Sequence, residues 1–293
     1  MRAVIGTPLA VERWAVPGAV RLGMGARTAL PAGDAFLVAG LAGGLNPAVR
    51  PGDVVVAPDA SAPLLAGALR RLGLAVHVGP VHTSDRVVTG AERARLAGTG
   101  ALAVDMETDR LRAAAGDRPF ATARVVTDAV GAALWSPGTL LRGVRGLLTL
   151  RTAAPALRQW AAATGGREVR LAPPRSCCAG VADTTDGQQA VRTVARECDL
   201  VLVVDRANSS HSARLVEAAE RAGVAARSVA DAEAVDLGWL PAAGRVGIVA
   251  GASAPPAEVD NIVASLAGLG PVTVLPPGSG TENMQFTLPR GVS

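Results

Sequence analysis

Short valine-rich runs alternate with longer amphipathic stretches along almost the whole chain. RAVIG, AFLVAG, GDVVVAP, LAVHVGPV and FATARVV, and later EVRLA, DLVLVVD, AARSVA and RVGIVAG, have the length and composition of buried strands. Between many of them, APLLAGALRRLG, DMETDRLRAAAG, SARLVEAAERAG and AEVDNIVASLAGLG place apolar residues three and four positions apart, as a helix does when it buries one face. This order predicts α/β layering. Residues 131–166 break the alternation: they read as helix without a strand and end in the breaker Gly165-Gly166. A domain boundary is expected there, dividing the chain into residues 1–168 and 169–293.

Composition narrows the class without naming a function. A chain of 293 residues, 49% hydrophobic, has enough apolar material for two ordinary cores. All 29 basic residues are arginine, isoleucine occurs three times and tyrosine not at all, which points to a GC-rich coding bias. A net charge of +4, with the arginines dispersed and few aromatic residues beside them, argues against a nucleic-acid partner. Three cysteines, an odd number, do not make a secreted disulfide framework. Glu12 and Arg13 interrupt the N-terminal segment before an apolar run of signal-sequence length, and no run is long enough to span a bilayer. The expectation is a cytoplasmic protein with no membrane span.

Candidate chemistry in the first half sits in three segments. VAGLAGGLNPAVRPGDVVVAPD reads as a strand, a glycine-rich turn and a second strand, with Gly40, Gly43 and Gly44 letting backbone N–H groups approach an anion or a sugar. TGALAVDMETDRL puts Glu107 where a strand gives way to a helix, and FATARVVTDAV leaves Asp128 just past the end of a strand. Carboxylates at strand ends face the crevice where ligands bind in open sheets. Taken singly, Glu107 also suits a helix start and Asp128 a turn.

Together these segments, with AVDME and GLAGGL…PGDVVV as the most specific elements, resemble the purine nucleoside phosphorylase and methylthioadenosine nucleosidase superfamily over residues 1–165, and within it the hopanoid-associated branch. The resemblance implies a phosphorylase-like mixed-sheet domain that cleaves the N-glycosidic bond of a purine nucleoside, with adenosylhopane a candidate. It assigns Glu12 to position or activate the attacking water or phosphate and Asp128 to protonate the purine. Gly43, Gly44, Met106, Glu107 and Thr127 would hold the nucleoside, Glu107 by accepting from the ribose hydroxyls. The chemistry is coherent, because the reaction builds positive charge on the sugar and negative charge on the base. Leu41 departs from the small hydroxyl residue common in nucleosidases, and no phenylalanine or tyrosine is evident to stack the base.

In the second half, Ser209, Ser210 and His211 in DRANSSHSARLVE, and Ser253 in GASAPPAEV, stand in strand–turn–helix units whose helix N-termini favour an anion. The same serines serve equally as helix caps. NSSHSARLVE, WLPAAGRVGIVAGASAPP and FTLPR resemble the last third of 4-hydroxy-3-methylbut-2-enyl diphosphate reductase, the LytB/IspH family, and LAPPRSCCAGV resembles its opening strand and first cluster cysteine. This resemblance implies a smaller parallel α/β lobe and a diphosphate site at Ser209, Ser210, His211 and Ser253.

By the same resemblance Cys178 maps to one cluster ligand, Val181 replaces a second, and the lobe carrying the third is missing. PRSCCAGVADTTDGQQAV therefore reads as the join of an internal deletion. No intact cofactor is expected, unless a [4Fe–4S] cluster gains its ligands from another chain; Cys198 reads as a buried small hydrophobe. Three readings follow: a nucleosidase or phosphorylase carrying a degenerate lobe, a reductase by descent, and a lobe serving as a non-catalytic diphosphate- or partner-binding module. Small-molecule nucleoside and isoprenoid diphosphate are the expected ligands and a homo-oligomer the expected assembly. EVRLA, deprived of its parental neighbours, must pair with the remaining sheet or lie on an edge.

Overall fold

Two sheets absorb the valine-rich runs. The computed structural model describes residues 1–26, 29–128, 137–172, 184–205, 210–251 and 254–275. The first sheet contains β1 (Ala3–Thr7), β2 (Val20–Arg21), β3 (Ala35–Gly44), β4 (Val54–Val56), β5 (Val76–Val78), β6 (Val81–Thr83), β7 (Ala103–Asp105) and β8 (Phe120–Asp128). Helices α1 (Ala10–Ala15), α2 (Ala62–Arg71), α3 (Gly90–Ala97) and α4 (Thr108–Ala115) accompany it. The long helix α5 (Pro137–Ala163) leads to the second sheet: β9 (Arg167–Leu171), β10 (Leu200–Val204), β11 (Ala225–Val229), β12 (Arg245–Ala250) and β13 (Val272–Leu275), with α6 (Thr184–Ala195), α7 (Ser210–Arg221) and α8 (Pro256–Ala267).

The first sheet runs β2-β1-β3-β8-β4-β5, with β7 paired to the end of β3 and β6 to β7. It is mixed, antiparallel at β3–β7 and β4–β8 and parallel elsewhere. The second sheet, β11-β10-β12-β9-β13, is parallel throughout. Its central strand β10 is apolar at every position because helices cover both faces of such a sheet. The α/β class read from the sequence is therefore the class observed.

Two details differ from the sequence reading, and for EVRLA the structure selects one of the two alternatives. LAVHVGPV makes two short strands instead of one. EVRLA lies inside the second sheet between β12 and β13, so it is not an edge; the strand that covers it, VTVL, sits between Pro271 and Pro276, which hid its signal. The glycines at 40, 43 and 44 do not form a turn: they belong to β3, which continues as a strand through Gly44. A Cβ at position 40 would stand 2.8 Å from both Arg124 Nη1 and Glu12 Oε1, so glycine is needed there to let two side chains cross the strand.

The two sheets share one hydrophobic core. The buried face of α5, with Leu150, Ala153, Leu157 and Trp160, packs on β3 and β8 and also reaches the 3₁₀ turn Leu237–Trp239 of the second half. Leu64 and Leu65 of α2 belong to the same buried cluster as Ile262 and Leu266 of α8 and Leu202 of β10. Trp160 Nε1 donates to Ser61 Oγ at 2.9 Å, which satisfies the indole without breaking the apolar packing. Gly67 of α2 lies directly against the backbone carbonyl of Glu233, and Gly268 against the backbone of Ser61. Neither site has room for a side chain.

This packing makes a stability prediction. Gly67→Ala drives a methyl into a backbone carbonyl and should cost about 1–3 kcal/mol, the usual range for overpacking. Gly143→Ala in α5 meets nothing within 4 Å and should stabilise by about 0.5–1 kcal/mol through helix propensity. Urea unfolding of the full chain checks both, and equal midpoints for the two variants would mean that the halves do not touch at Gly67.

Candidate active site

Local geometry brings the acids of the first half to one cavity. Its volume is about 210 Å³, and its wall includes Glu12, Gly43, Met106, Glu107, Thr127 and Asp128. Six of the residues singled out from the sequence thus converge. Gly44 does not line it; its carbonyl accepts from Arg93 Nε at 3.0 Å and Nη2 at 2.7 Å.

Glu12 occupies the third position of the short helix α1. Its Oε2 accepts from Leu9 N at 2.6 Å, closing the helix start, and its Oε1 accepts from Leu41 N on β3 at 2.8 Å. The side chain is buried, and that burial pushes its carboxyl above the ordinary range, against the two backbone donors and the nearby Arg124 charge.

Glu107 stands at the start of α4 but makes no cap to that helix. Its Oε1 accepts from Gly25 N at 3.0 Å and its Oε2 faces Arg124 Nη2 at 3.3 Å. Asp105, two residues earlier, does the capping: its Oδ1 accepts from Thr108 N at 3.2 Å and from Thr83 Oγ1 at 2.9 Å. Burial opposes the charge of Asp105, yet Arg124, whose Nη2 lies 2.6 Å away, and the hydrogen bonds from Thr108 and Thr83 outweigh it. Its carboxyl is held below the usual value.

Thr127 and Asp128 are consecutive residues, and in a regular strand they would face opposite sides of the sheet. They line the same cavity because β8 slips register there: Ala42 faces Val126 while Gly43 faces Asp128. Thr127 Oγ1 donates to Ala42 O at 3.2 Å and lies 3.1 Å from Asp128 Oδ1. Asp128 Oδ2 pairs with buried Arg93, whose Nη2 also donates to Asp128 O at 3.0 Å.

Two arginines complete the site, and sequence reading missed both. Arg124 is fully buried behind the wall, bridging Asp105, Glu107 and Thr108 Oγ1, while its Nε and Nη1 have no hydrogen-bond partner among the described residues. The available signal was the charged residue within FATARVV, a central strand that is otherwise apolar except for threonine. Arg93 lay in a helix, ERARLA, indistinguishable from the solvated arginines around it. Sorted by partner, Arg124 serves Asp105 and Glu107, and Arg93 serves Asp128. Glu12 keeps only backbone donors.

In the second half, β10 and β12 are adjacent and parallel, Val204 opposite Ala250, so α7 and α8 both begin at one edge of the sheet. Ser210 is exposed at the start of α7, and His211 is partly buried and engaged by the structure. Ser209, Ser253, Cys178 and Val181 lie outside the described residues. The described residues hold one thiol, that of Cys198. Cys198 is buried against Gly247, its thiol is pushed up to about 11 by burial, and no group of three potential metal ligands occurs among them.

Residues 169–267 match the family model described as LytB protein. Of the curated relatives, the 4-hydroxy-3-methylbut-2-enyl diphosphate reductase of Bordetella pertussis is 47% identical over 110 residues, 38% of this chain and 34% of that one. Reductase 2 of Mycobacterium bovis is 39% identical over 109 residues, 37% of this chain and 33% of that one. The chain thus spans about a third of the length of the curated relatives it matches. Among solved structures, a putative methylthioadenosine nucleosidase from Weissella paramesenteroides aligns with a TM-score of 0.43 and 18% identity, over 53% of this chain and 96% of that one. A 5'-methylthioadenosine/S-adenosylhomocysteine nucleosidase from Colwellia psychrerythraea, solved with adenine, gives 0.43 and 18% over 54% and 96%. At such identities and scores, the chemistry of the first half rests on its own residues.

The site also predicts how stability depends on Arg124. Arg124→Met leaves buried carboxylates without their cation and should cost about 3–5 kcal/mol near neutral pH. Because the carboxyl of Asp105 is depressed in the folded protein, its contribution is present above its ordinary value of 3.8 and is lost as pH falls below it. The gap between variant and parent should therefore narrow as the pH is lowered through 3.8. Denaturant melts across that range test this, and a gap independent of pH would remove Arg124 as the counter-charge.

Proposed function

We propose that the first half hydrolyses the N-glycosidic bond of a purine nucleoside. The observation that carries this reading is the division of labour among the carboxylates around one cavity. Glu12, buried and without a cation of its own, is suited to take a proton from water. The unpartnered Nη1 of Arg124, which like Glu12 Oε1 lies over Gly40, offers a donor to the same water oxygen. Glu107, facing the cavity and not its helix, accepts from the ribose hydroxyls and opposes the positive charge that grows on the sugar.

Asp128 acts on the base. Once Arg93 releases Oδ2 the carboxylate takes up a proton from solvent and passes it to the purine, so substrate entry and the opening of that ion pair are one event. Water is favoured over phosphate as the attacking group. Glu12 supports that choice, since its carboxyl can take a proton from water whereas a phosphate anion would stand against the carboxylate. The base is held by Met24, Met106, Val87 and Val88, since no aromatic side chain lines the cavity among the described residues.

For the second half we propose a diphosphate-binding lobe and not a reductase, supported by the common edge at which α7 and α8 begin and by the inert surroundings of Cys198. Adenosylhopane as the nucleoside and an isoprenoid diphosphate as the second ligand belong to this proposal.

Incubating the chain with adenosines of varied 5'-substituents and following free adenine by chromatography, with and without phosphate, tests the reaction. Adenine should appear without phosphate, and a strict phosphate requirement would transfer the chain to the phosphorylases. Glu12→Gln and Asp128→Asn should each lower turnover by about two to four orders of magnitude. Since Glu12 must be ionised and its carboxyl is raised above 4.5, the acid limb of kcat/KM should lie above that value. An unshifted limb would leave Glu12 outside the chemistry. Pyrophosphate at millimolar concentration should raise the melting temperature of the full chain, more so at low salt; a flat response would reduce Ser210 to a helix cap.

A further inference from the structure

Large apolar side chains gather on one exposed face beside the cavity mouth. On α5, Leu140 is 78% exposed and Leu141 73%, with Val144 and Leu148 about half exposed. At 100° per residue these four lie on one side of the helix, opposite the buried Leu150 and Leu157. Val11 and Trp14 of α1, which packs on α5, are likewise about half exposed. The face adjoins the cavity through α1, where Glu12 of the cavity wall stands between Val11 and Trp14 in sequence; α5 touches the wall from its opposite, buried side, where Gly146 packs on Leu41 and Thr127, and the exposed Met24 and Val87 stand at the rim.

The charges on this face have one sign. Arg145, Arg151 and Arg158 share the exposed side of α5, Arg13 lies beside Trp14, and Arg151 stacks over the Trp14 ring at 4.7 Å. Between residues 137 and 163 there is no acidic residue, and between 1 and 33 there is only the buried Glu12. A second copy docked on this face by a two-fold axis would set arginine against arginine. An anionic bilayer accepts both features, leucine and tryptophan into the acyl boundary and guanidinium onto the headgroups.

We infer that the α1–α5 face docks onto an anionic lipid surface and places the cavity mouth at the headgroup level. No helix among the described residues is long and apolar enough to cross a membrane, so the contact is with the surface. A cavity of about 210 Å³ is smaller than the ~300–1,000 Å³ usual for drug-sized ligands, so a nucleoside with a long substituent must extend from the mouth along this face. That last consequence rests on the nucleosidase reading; the docking itself does not.

Co-sedimentation of the full chain with phosphatidylcholine vesicles, and with vesicles containing one-third phosphatidylglycerol, tests the inference without any turnover. The chain should sediment with the anionic vesicles, only weakly with neutral ones, and less as salt rises. Arg145→Gln with Arg151→Gln should weaken partitioning roughly thirtyfold, at the usual contribution per arginine near such a surface. Leu141→Ser with Leu148→Ser should weaken it roughly tenfold or more. A chain that stays in the supernatant with anionic vesicles overturns the inference. So does binding that both folded double variants retain, and so does a dimer that the leucine variant dissociates without any change in vesicle binding.

Discussion

Three carboxylates near one another inside a protein are tolerable only if a cation is buried among them, and Arg124 is that cation. Its position on β8 puts the guanidinium between β7, which brings Asp105, and the start of α4, which brings Glu107, while Gly40 on the neighbouring strand leaves the space over which its charge reaches Glu12. The order of strands β3 and β8 at the sheet centre, the absence of a side chain at position 40 and the docking of α1 all follow from accommodating this one group. The register slip at Thr127 then finishes the wall by turning two adjacent side chains the same way.

Much of this was legible in the chain. Valine runs and helical spacings gave the α/β layering, the acids at 107 and 128 were recognisable from their places at strand ends, and Glu12 was recognisable through the family resemblance alone. Arg124 was not, because in a sequence whose cations are all arginine a single buried one has no compositional mark. Its position inside an apolar strand was the physical signal, since a charge there must be paired. The glycines of β3 were misread for a related reason: glycine permits a turn and also a close approach, and only the identity of the crossing side chains separates the two. VTVL was obscured by the prolines around it.

The shared core was beyond the reach of sequence pattern. Each half shows its own alternation, and nothing in the spacing of Leu64, Trp160 or Ile262 says that they pack together. What joins the halves is complementarity of surfaces, with Gly67 and Gly268 as the points of closest approach. A lobe whose described residues hold one thiol and no metal site nevertheless supplies part of the wall against which α2 and α5 are packed.

That shared wall has a consequence for descent. Were the reading frame to split between α5 and β9, each product would carry half of an interface shaped for the other, and both would be prey to proteolysis before they could meet. Packing alone therefore gives selection a reason to keep the second lobe, and the single-chain arrangement behaves as a ratchet: easily entered by joining two frames, hard to leave by parting them.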